Sequence, residues 1–174
     1  LGAEVILITG PTHYKTKDSR IKTIAVVSAE EMYTQAHTYF KSVDIAIASA
    51  AVADYKPKNV ATSKIKKASL TLSLELEKTK DILASLGKIK THQLLVGFAL
   101  ETNDEISNAI KKLKSKNLDL IVLNSLNDTG AGFGGKSNKV TLIDKELVQT
   151  EFSLKSKADV AHDIMNELLK QINA

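Results

Sequence analysis

The sequence predicts an α/β domain with a mainly parallel sheet, and three observations along its 174 residues support this. Short apolar runs alternate with segments of helical periodicity, which is the pattern of strands joined by crossover helices. Most of these runs are continuously apolar, as expected of parallel strands buried on both faces. The last two runs lie close together and predict an antiparallel hairpin at one edge of the sheet. Together these features indicate a three-layer, Rossmann-like arrangement.

The predicted strands are apolar runs bounded by turn residues. Three of them are interpreted as buried strands: Val5 to Thr9, Asp44 to Ala48 and Gln93 to Ala99. Ile21 to Val27 and Leu118 to Leu123 are predicted as further strands. Leu70 to Leu76 alternates apolar and polar residues, which predicts a half-exposed strand. Val140 to Ile143 and Val148 to Phe152 predict the edge hairpin. Two polar stretches, Tyr55 to Ser63 and Asn127 to Asn138, predict loops.

Four segments predict helices: Ser28 to about Lys41, Asp81 to Leu86, Asp104 to about Ser115, and Lys157 to Ile172. Ser28 with Glu31 three residues later predicts a capping box at the first of them. Gly87 is expected to end the second helix. Asn103 and Ser156 are the predicted N-caps of the third and fourth.

Composition excludes several classes of function. The chain has 24 Lys and Arg against 20 Asp and Glu, a mild net charge of +4 that suits small anionic substrates. With four Phe, four Tyr and no Trp, it offers no stacking platform for single-stranded nucleic acid, so no nucleic-acid partner is expected. The absence of Cys excludes disulfides and thiolate metal sites. No apolar run approaches the roughly 20 residues that span a bilayer, and no signal peptide is visible, so we expect a cytoplasmic protein without membrane contact.

The segment Ala50-Ala51-Val52-Ala53-Asp54-Tyr55 is the leading candidate for a binding site. It follows a buried strand, and α/β sheets bind ligands outside the carboxyl ends of their strands. Lys64-Ile65-Lys66-Lys67 supplies positive charge within loop reach. These residues suggest a polyphosphate site in which Asp54 contacts a hydroxyl or Mg²⁺. The alternative is that the small residues make room for a helix, Asp54 forms a turn and the lysines are solvated.

Four segments occur in an order and spacing that resemble bacterial phosphopantothenate–cysteine ligase: Ala50 to Tyr55, Lys64 to Lys67, Val96 to Thr102, and Lys116 to Ile121. The resemblance covers nearly the whole chain. It implies ligation of 4′-phosphopantothenate to L-cysteine with CTP and Mg²⁺, through an acyl-cytidylate, in a homodimer. The family is often the C-terminal half of a bifunctional protein with a flavin-dependent decarboxylase. FMN is therefore expected only if such a domain is fused upstream.

The resemblance also implies roles for individual residues. Asp54 would contact CTP, and Lys64, on a flexible flap, would contact the triphosphate and act catalytically. The remaining nucleotide-binding candidates are the helix-start residues Lys80, Asp81, Ile82 and Leu83, the strand-end Phe98, and the helical pair Lys112 and Lys116. Exposed N–H groups at a helix start form a natural anion site. The family usually has Pro where this chain has Lys80, and no residue is assigned as a protein ligand of a metal.

One departure from the family concerns the start of the chain. The family carries an Asn-x-Ser-Ser-Gly stretch before the segment that matches Gly2-Ala3, and this sequence does not contain it. We therefore expect residues 1–174 to be a single ligase domain without its N-terminal segment, and to ligate weakly or not at all alone. The alternative is a non-catalytic nucleotide-binding module. A nicotinamide- or flavin-binding reductase would require a Gly-x-Gly-x-x-Gly fingerprint that is absent.

Overall fold

The computed structural model describes residues 2–66, 71–125 and 135–172. The chain divides into two compact units. The first unit comprises residues 1–38 and 50–82, and the second unit comprises residues 39–49 and 83–174. The prediction of a single domain over the whole chain stays a prediction.

The elements alternate in the manner expected of an α/β chain. The helices are α1 (Ala29–Phe40), α2 (Ile82–Ile89), α3 (Glu105–Ser115) and α4 (Lys157–Ile172). The strands are β1 (Val5–Thr9), β2 (Ile21–Ala25), β3 (Ile45–Ala48), β4 (Tyr55–Pro57), β5 (Leu76–Lys78), β6 (Leu94–Glu101), β7 (Leu120–Ser125), β8 (Ser137–Asn138), β9 (Val140–Asp144), β10 (Gln149–Glu151) and β11 (Lys155–Ser156).

The first unit contains two strand pairs. β1 and β2 are parallel, with Val5 opposite Ile21. β4 and β5 are antiparallel, with Tyr55 opposite Lys78. The second pair corrects two predictions: the segment from Tyr55 was expected to be a loop, and the strand expected from Leu70 to Leu76 instead begins at Leu76. Leu70 itself lies outside the described residues.

Cross-strand charges explain why β4 and β5 pair although their sequences do not look like strands. Lys56 Nζ lies 3.3 Å from Glu77 Oε1, and Lys58 Nζ lies 2.6 Å from Glu75 Oε1. Opposite charges on facing residues favour pairing. Because these partners lie about 20 residues apart along the chain, alternation within one segment does not reveal them.

The second unit is built on a five-stranded sheet with the order β10-β9-β7-β6-β3. β3, β6 and β7 are parallel, whereas β9 and β10 form an antiparallel hairpin at the edge. The prediction of a mainly parallel sheet with an antiparallel edge hairpin is therefore confirmed. β8 and β11 form a separate antiparallel pair.

Helices cover this sheet on both faces. On one face α4 buries Val160, Ile164 and Leu168 against alternate residues of β6, β7 and β9, including Val96 and Leu120. Side chains alternate between the two faces of a sheet. Gly97, the residue after Val96, therefore lies on the face opposite to α4. A Cβ placed on Gly97 would lie 2.8 Å from Leu83 of α2. The close approach of α2 to the sheet therefore depends on a residue without a side chain.

Two predicted helix signals act differently in the structure. Gly87 does not end α2, which continues through it to Ile89. A Cβ on Gly87 would lie 1.9 Å from the carbonyl oxygen of Lys116, so this glycine serves close packing. The N-cap of α3 is Asp104 rather than Asn103, and its side chain makes no capping hydrogen bond.

The other two predicted caps are confirmed. Ser28 Oγ accepts a hydrogen bond from the Glu31 N–H at 3.1 Å, and the Glu31 carboxylate accepts from the Val27 N–H at 2.8 Å. The carboxylate thus reaches one residue further back than in the usual capping box. At α4, Ser156 Oγ accepts from the Asp159 N–H at 3.1 Å and donates to the Asp159 carboxylate.

Candidate functional site

The first unit contains a cavity of about 270 Å³ at the carboxyl ends of β1 and β2. Mostly small or apolar residues line it: Gly10, Pro11, Val26, Val27, Ser28, Ala29, Met32, Ala50, Ala51, Val52 and Ala53. Gly10 directly follows β1, Val26 directly follows β2, and Ser28 caps α1. The segment predicted as the leading candidate therefore lines a cavity where α/β sheets place their ligands.

Asp54 directly follows the last lining residue, Ala53. Its side chain is exposed, and its carboxylate forms no hydrogen bond or ion pair with any other described residue. An ionised carboxylate without a partner in the fold retains its full capacity to accept hydrogen bonds or to bind a cation. The geometry thus leaves Asp54 available to a ligand.

The backbone before and at Asp54 is held by Thr79, the residue that precedes the helix-start candidate Lys80. The Thr79 hydroxyl donates to the Ala53 carbonyl at 2.7 Å. The Thr79 N–H donates to the Asp54 carbonyl at 2.9 Å. No local sequence signal predicts these bonds, because they join segments 25 and 26 residues apart.

Lys64 lies in the first unit between β4 and β5. It is exposed, and its ammonium has no ion-pair partner among the residues that the structure describes. Lys66 has the same character, whereas Lys67 lies outside the described ranges. The role predicted for Lys64, a cation on a flexible flap that contacts the nucleotide, stays a prediction.

Lys80 is exposed, and its side chain contacts α1. Its Nζ lies 2.6 Å from Glu30 Oε1 and 4.7 Å from the centre of the Tyr33 ring. The hydrogen bond from Lys80 holds the pKa of Glu30 below its ordinary value, and the same bond raises the pKa of Lys80. The side chain of Lys80 is therefore bound to another residue of the first unit. No local pattern predicts Glu30 as its partner, because the two residues lie 50 positions apart.

The helix-start candidates differ in what they expose. α2 begins at Ile82, and Asp81 before it is exposed. The Leu83 side chain is buried and lies against Gly97. Only the backbone of Leu83 could therefore face a ligand. The predicted contact at this helix start is compatible with main-chain N–H groups and not with the Leu83 side chain.

In the second unit, the structure brings two predicted residues together. Lys112 Nζ, on α3, lies 3.4 Å from the carbonyl oxygen of Phe98 on β6. The Phe98 side chain is half-buried and packs against the core beneath α4. Lys116 follows Lys112 by one helical turn, and its N–H donates to the Lys112 carbonyl at 3.1 Å. Because its side chain packs against this core, Phe98 contributes to the stability of the second unit independently of any ligand.

The segment Lys116-Asn117-Leu118-Asp119, which contributed to the resemblance, has a structural role. Asn117 adopts a positive φ of 53° and donates from its side-chain amide to the Gly87 carbonyl at 2.9 Å. Asp119 is buried and accepts from Lys90 at 2.8 Å and from the Leu95 N–H at 2.7 Å. These contacts fix the turn from α3 into β7.

Asn124, near the end of β7, accepts a hydrogen bond from the Asn138 amide at 3.2 Å. Most of the Gly130 to Gly135 loop lies outside the described residues. Within those residues, no cluster of three or more His, Asp or Glu side chains could hold a metal ion. Among the helices that the structure describes, none is both long enough and apolar enough to cross a bilayer.

The fold and the cavity define a mixed α/β domain of the class that binds small ligands at the carboxyl edge of its strands. The chain belongs to the DNA/pantothenate metabolism flavoprotein C-terminal domain family, whose sequence profile matches residues 1–172. This finding agrees with the family predicted from the four sequence segments.

Curated relatives are similar over almost the whole chain. The coenzyme A biosynthesis bifunctional protein CoaBC of Bacillus subtilis (strain 168) is 45% identical over 168 residues, which are 97% of this chain and 41% of the relative. A cysteine/cysteine sulfinic acid decarboxylase of an unknown prokaryotic organism is 49% identical over 174 residues, which are 99% of this chain and 48% of that protein. The chain therefore spans less than half the length of these relatives.

Solved structures agree with the fold. The crystal structure of the C-terminal domain of CoaBC superposes with a TM-score of 0.81 at 38% identity, covering 99% of this chain and 76% of the other. The DNA/pantothenate metabolism flavoprotein from Streptococcus pneumoniae gives a TM-score of 0.80 at 20% identity, covering 98% and 82%. At that identity the second match supports the fold alone.

Proposed function

We propose that this chain is a phosphopantothenate–cysteine ligase domain that joins 4′-phosphopantothenate to L-cysteine with CTP in coenzyme A biosynthesis. The observation that carries the proposal is the Asp54 carboxylate, which is exposed, has no partner among the described residues and directly follows the cavity-lining Ala53. The identity of 45% to a coenzyme A biosynthesis bifunctional protein supports the same function. The other half of such relatives carries a second activity, so the name of the decarboxylase relative is compatible with this proposal.

In the proposed reaction, the substrate carboxylate attacks the α-phosphorus of CTP. Its oxygen forms the new P–O bond, the bond to the β-phosphate oxygen breaks, and pyrophosphate leaves. The cysteine amine then attacks the acyl carbon, loses a proton and displaces CMP. Both steps bring negatively charged reactants together, so the protein must supply cations that offset the charge and must hold the reactants in the correct orientation.

The residues of this chain would divide that work. Asp54 would accept hydrogen bonds from the nucleotide, and Lys64 would follow the charge on the phosphates as the catalytic cation. Backbone N–H groups at the start of α2, from Lys80 to Leu83, would contribute to phosphate binding. Phe98 would contact the base, and Lys112 and Lys116 would contact the nucleotide from α3.

The donor set near Asp54 fits Mg²⁺ only as a companion of the nucleotide. Mg²⁺ in nucleotide enzymes is commonly held by one or two carboxylates together with substrate phosphates. Asp54 offers one carboxylate and the described ranges contain no larger acidic cluster. The metal would neutralise phosphate charge, and the Asp54 carboxylate would be available to contact it.

The proposal extends to the protein that contains this chain. A homodimer, a fused or associated decarboxylase domain and a cytoplasmic location are proposed with it. FMN would belong to the decarboxylase domain, and no residue of this chain is assigned to it.

The test is calorimetric titration of the purified full-length protein with CTP and with ATP, each with Mg²⁺, followed by a ligation assay. We expect CTP-selective binding, product formation, and loss of both in Asp54→Ala. Glu4→Ala is the matched control, because Glu4 is an exposed acid of the first unit without a partner among the described residues. CTP binding without product would favour a non-catalytic nucleotide-binding module, and binding of neither nucleotide would overturn the proposal.

A further inference from the structure

We propose that Thr79 is a positioning residue that orients Asp54 toward the nucleotide. This inference rests on the proposed function of Asp54 and assigns a role to a residue outside the predicted site. Its basis is that one residue holds two consecutive carbonyl groups, those of Ala53 and Asp54.

The segment before Asp54 has little packing to hold it. Ala50, Ala51 and Ala53 are exposed and carry the smallest side chain, and the segment 50–53 forms no strand or helix. Small exposed residues give little burial energy to set against backbone entropy. The orientation of Asp54 therefore depends on hydrogen bonds to its main chain.

Thr79 supplies those bonds in two different ways. Its N–H bond to Asp54 extends the β4–β5 pairing, in which Tyr55 faces Lys78, and any residue other than Pro could make it. Its hydroxyl bond to Ala53, at 2.7 Å, requires the side chain. The two accepting carbonyls belong to the two peptide planes that flank the Asp54 Cα, so both bonds together fix both planes. Without the hydroxyl, only the plane after Asp54 is held by Thr79.

Thr79 is itself held in place. It is the one half-buried residue in the otherwise exposed stretch 71–80. The next residue, Lys80, is tied to α1 through Glu30 and the Tyr33 ring. Ser28 and Met32 of the same helical segment line the cavity together with Ala53. Thr79 thus connects the Asp54 segment to a fixed part of the first unit.

The test compares Thr79→Val, which keeps the shape and removes the hydroxyl, with Thr79→Ser, which keeps the hydroxyl. Thr141→Val is the control, because it makes the same substitution at a half-buried strand position of the second unit. For each full-length variant, the Kd for CTP with Mg²⁺, the KM for CTP, kcat and Tm are measured. We expect Thr79→Val to raise the Kd and KM about fivefold, equivalent to about 1 kcal/mol, while Thr79→Ser and Thr141→Val bind as wild type does.

The outcomes separate this inference from the proposed function. If wild type binds CTP and Asp54→Ala does not, a wild-type Kd in Thr79→Val overturns the inference and leaves the function standing. If the Kd for CTP is raised equally in Thr79→Val and in Thr79→Ser, the inference is also overturned, because the effect then does not come from loss of the hydroxyl. If wild type does not bind CTP, the proposed function fails and the inference fails with it.

Discussion

Asp119 and Lys90 form an ion pair of 2.8 Å in the second unit, with side chains only 10% and 12% exposed. The same carboxylate oxygen accepts a hydrogen bond from the Leu95 N–H on β6. One buried acid thereby joins the start of β7 to β6 and to the end of α2. Lys116 to Ile121, one of the four segments that carry the family resemblance, therefore contains a residue that stabilises the fold.

We expect Asp119→Ala to destabilise the protein by about 3–5 kcal/mol, because it leaves a buried ammonium unpaired. The double variant Asp119→Ala, Lys90→Met should recover part of this loss, since the orphaned charge is then absent. Denaturant unfolding measures both. Lys170→Ala, which removes an exposed ion pair with Glu167, is the control and should cost less than about 1 kcal/mol. A loss for Asp119→Ala as small as that of the control would contradict the role assigned to the pair.

Gly87→Ala should destabilise the second unit although alanine favours helices. The new Cβ would lie 1.9 Å from the Lys116 carbonyl oxygen, which is main chain and cannot rotate away. The strain should exceed the helix-propensity gain of about 1 kcal/mol and leave a net loss of about 2 kcal/mol. Thermal unfolding measures it, with the exposed neighbour Lys88→Ala as control. A Tm equal to or above that of wild type would show that α2 and α3 can separate without cost.

Ser156→Ala should weaken the start of α4. Its hydroxyl accepts from the Asp159 N–H at 3.1 Å, and loss of such a cap costs about 1 kcal/mol. Ser153→Ala is the matched control, because Ser153 is exposed and its side chain has no partner in the described ranges. In chemical denaturation, the free energy of unfolding of Ser156→Ala should be about 1 kcal/mol below that of Ser153→Ala. Equal free energies would indicate that Asp159 or water replaces the Ser156 hydroxyl as the cap.

The Glu30–Lys80 pair should titrate at both ends of the pH range. The hydrogen bond from Lys80 lowers the pKa of Glu30 from its ordinary value of 4.5, so the contribution of the pair is present above that pH and is lost as pH falls through the lowered pKa. The pKa of Lys80 is raised above 10.5, so the contribution is lost again as pH rises through that higher value. NMR titration of the Glu30 carboxyl should show its pKa rising in Lys80→Met. Carboxyls far from Lys80 provide the internal reference, and an unchanged Glu30 curve would exclude the pair in solution.

Lys64→Ala should lower kcat/KM for CTP by about tenfold or more, because a cation that stabilises phosphate charge in the transition state is lost. Lys66→Ala is the control, since Lys66 is equally exposed and lies two residues away. Steady-state kinetics of the full-length protein distinguishes them. Equal effects of the two substitutions would reduce the role of Lys64 to general electrostatic attraction.

Local patterns were sufficient to predict the five strands of the main sheet and the three helices of the second unit, and part of the first unit. The apolar runs around Val5, Val96 and Leu120 became parallel strands, because continuous apolar character is typical of parallel strands in an α/β chain. The prediction that the strand at Val5 is buried was wrong: Val5 is 40% exposed, since β1 lies in a two-stranded sheet with β2. Ser28 and Ser156 were predicted as caps because capping acts over three residues. The candidate segment Ala50 to Asp54 was found by its small residues after a strand, and it does line a cavity as far as Ala53.

The sequence by itself determined the alternation of strands and helices, the family, and the exposed acid at Asp54. The tertiary structure alone decided which residue holds the main chain at that acid and what Gly87 and Lys80 contact. Thr79 reaches Ala53 across 26 residues, and Lys80 reaches Glu30 across 50. Gly87 was interpreted as a helix end and instead admits the Lys116 carbonyl. The physical reason is the range of the interactions: periodicity and capping are local, whereas hydrogen bonds, ion pairs and close packing depend on which distant segments the fold brings together.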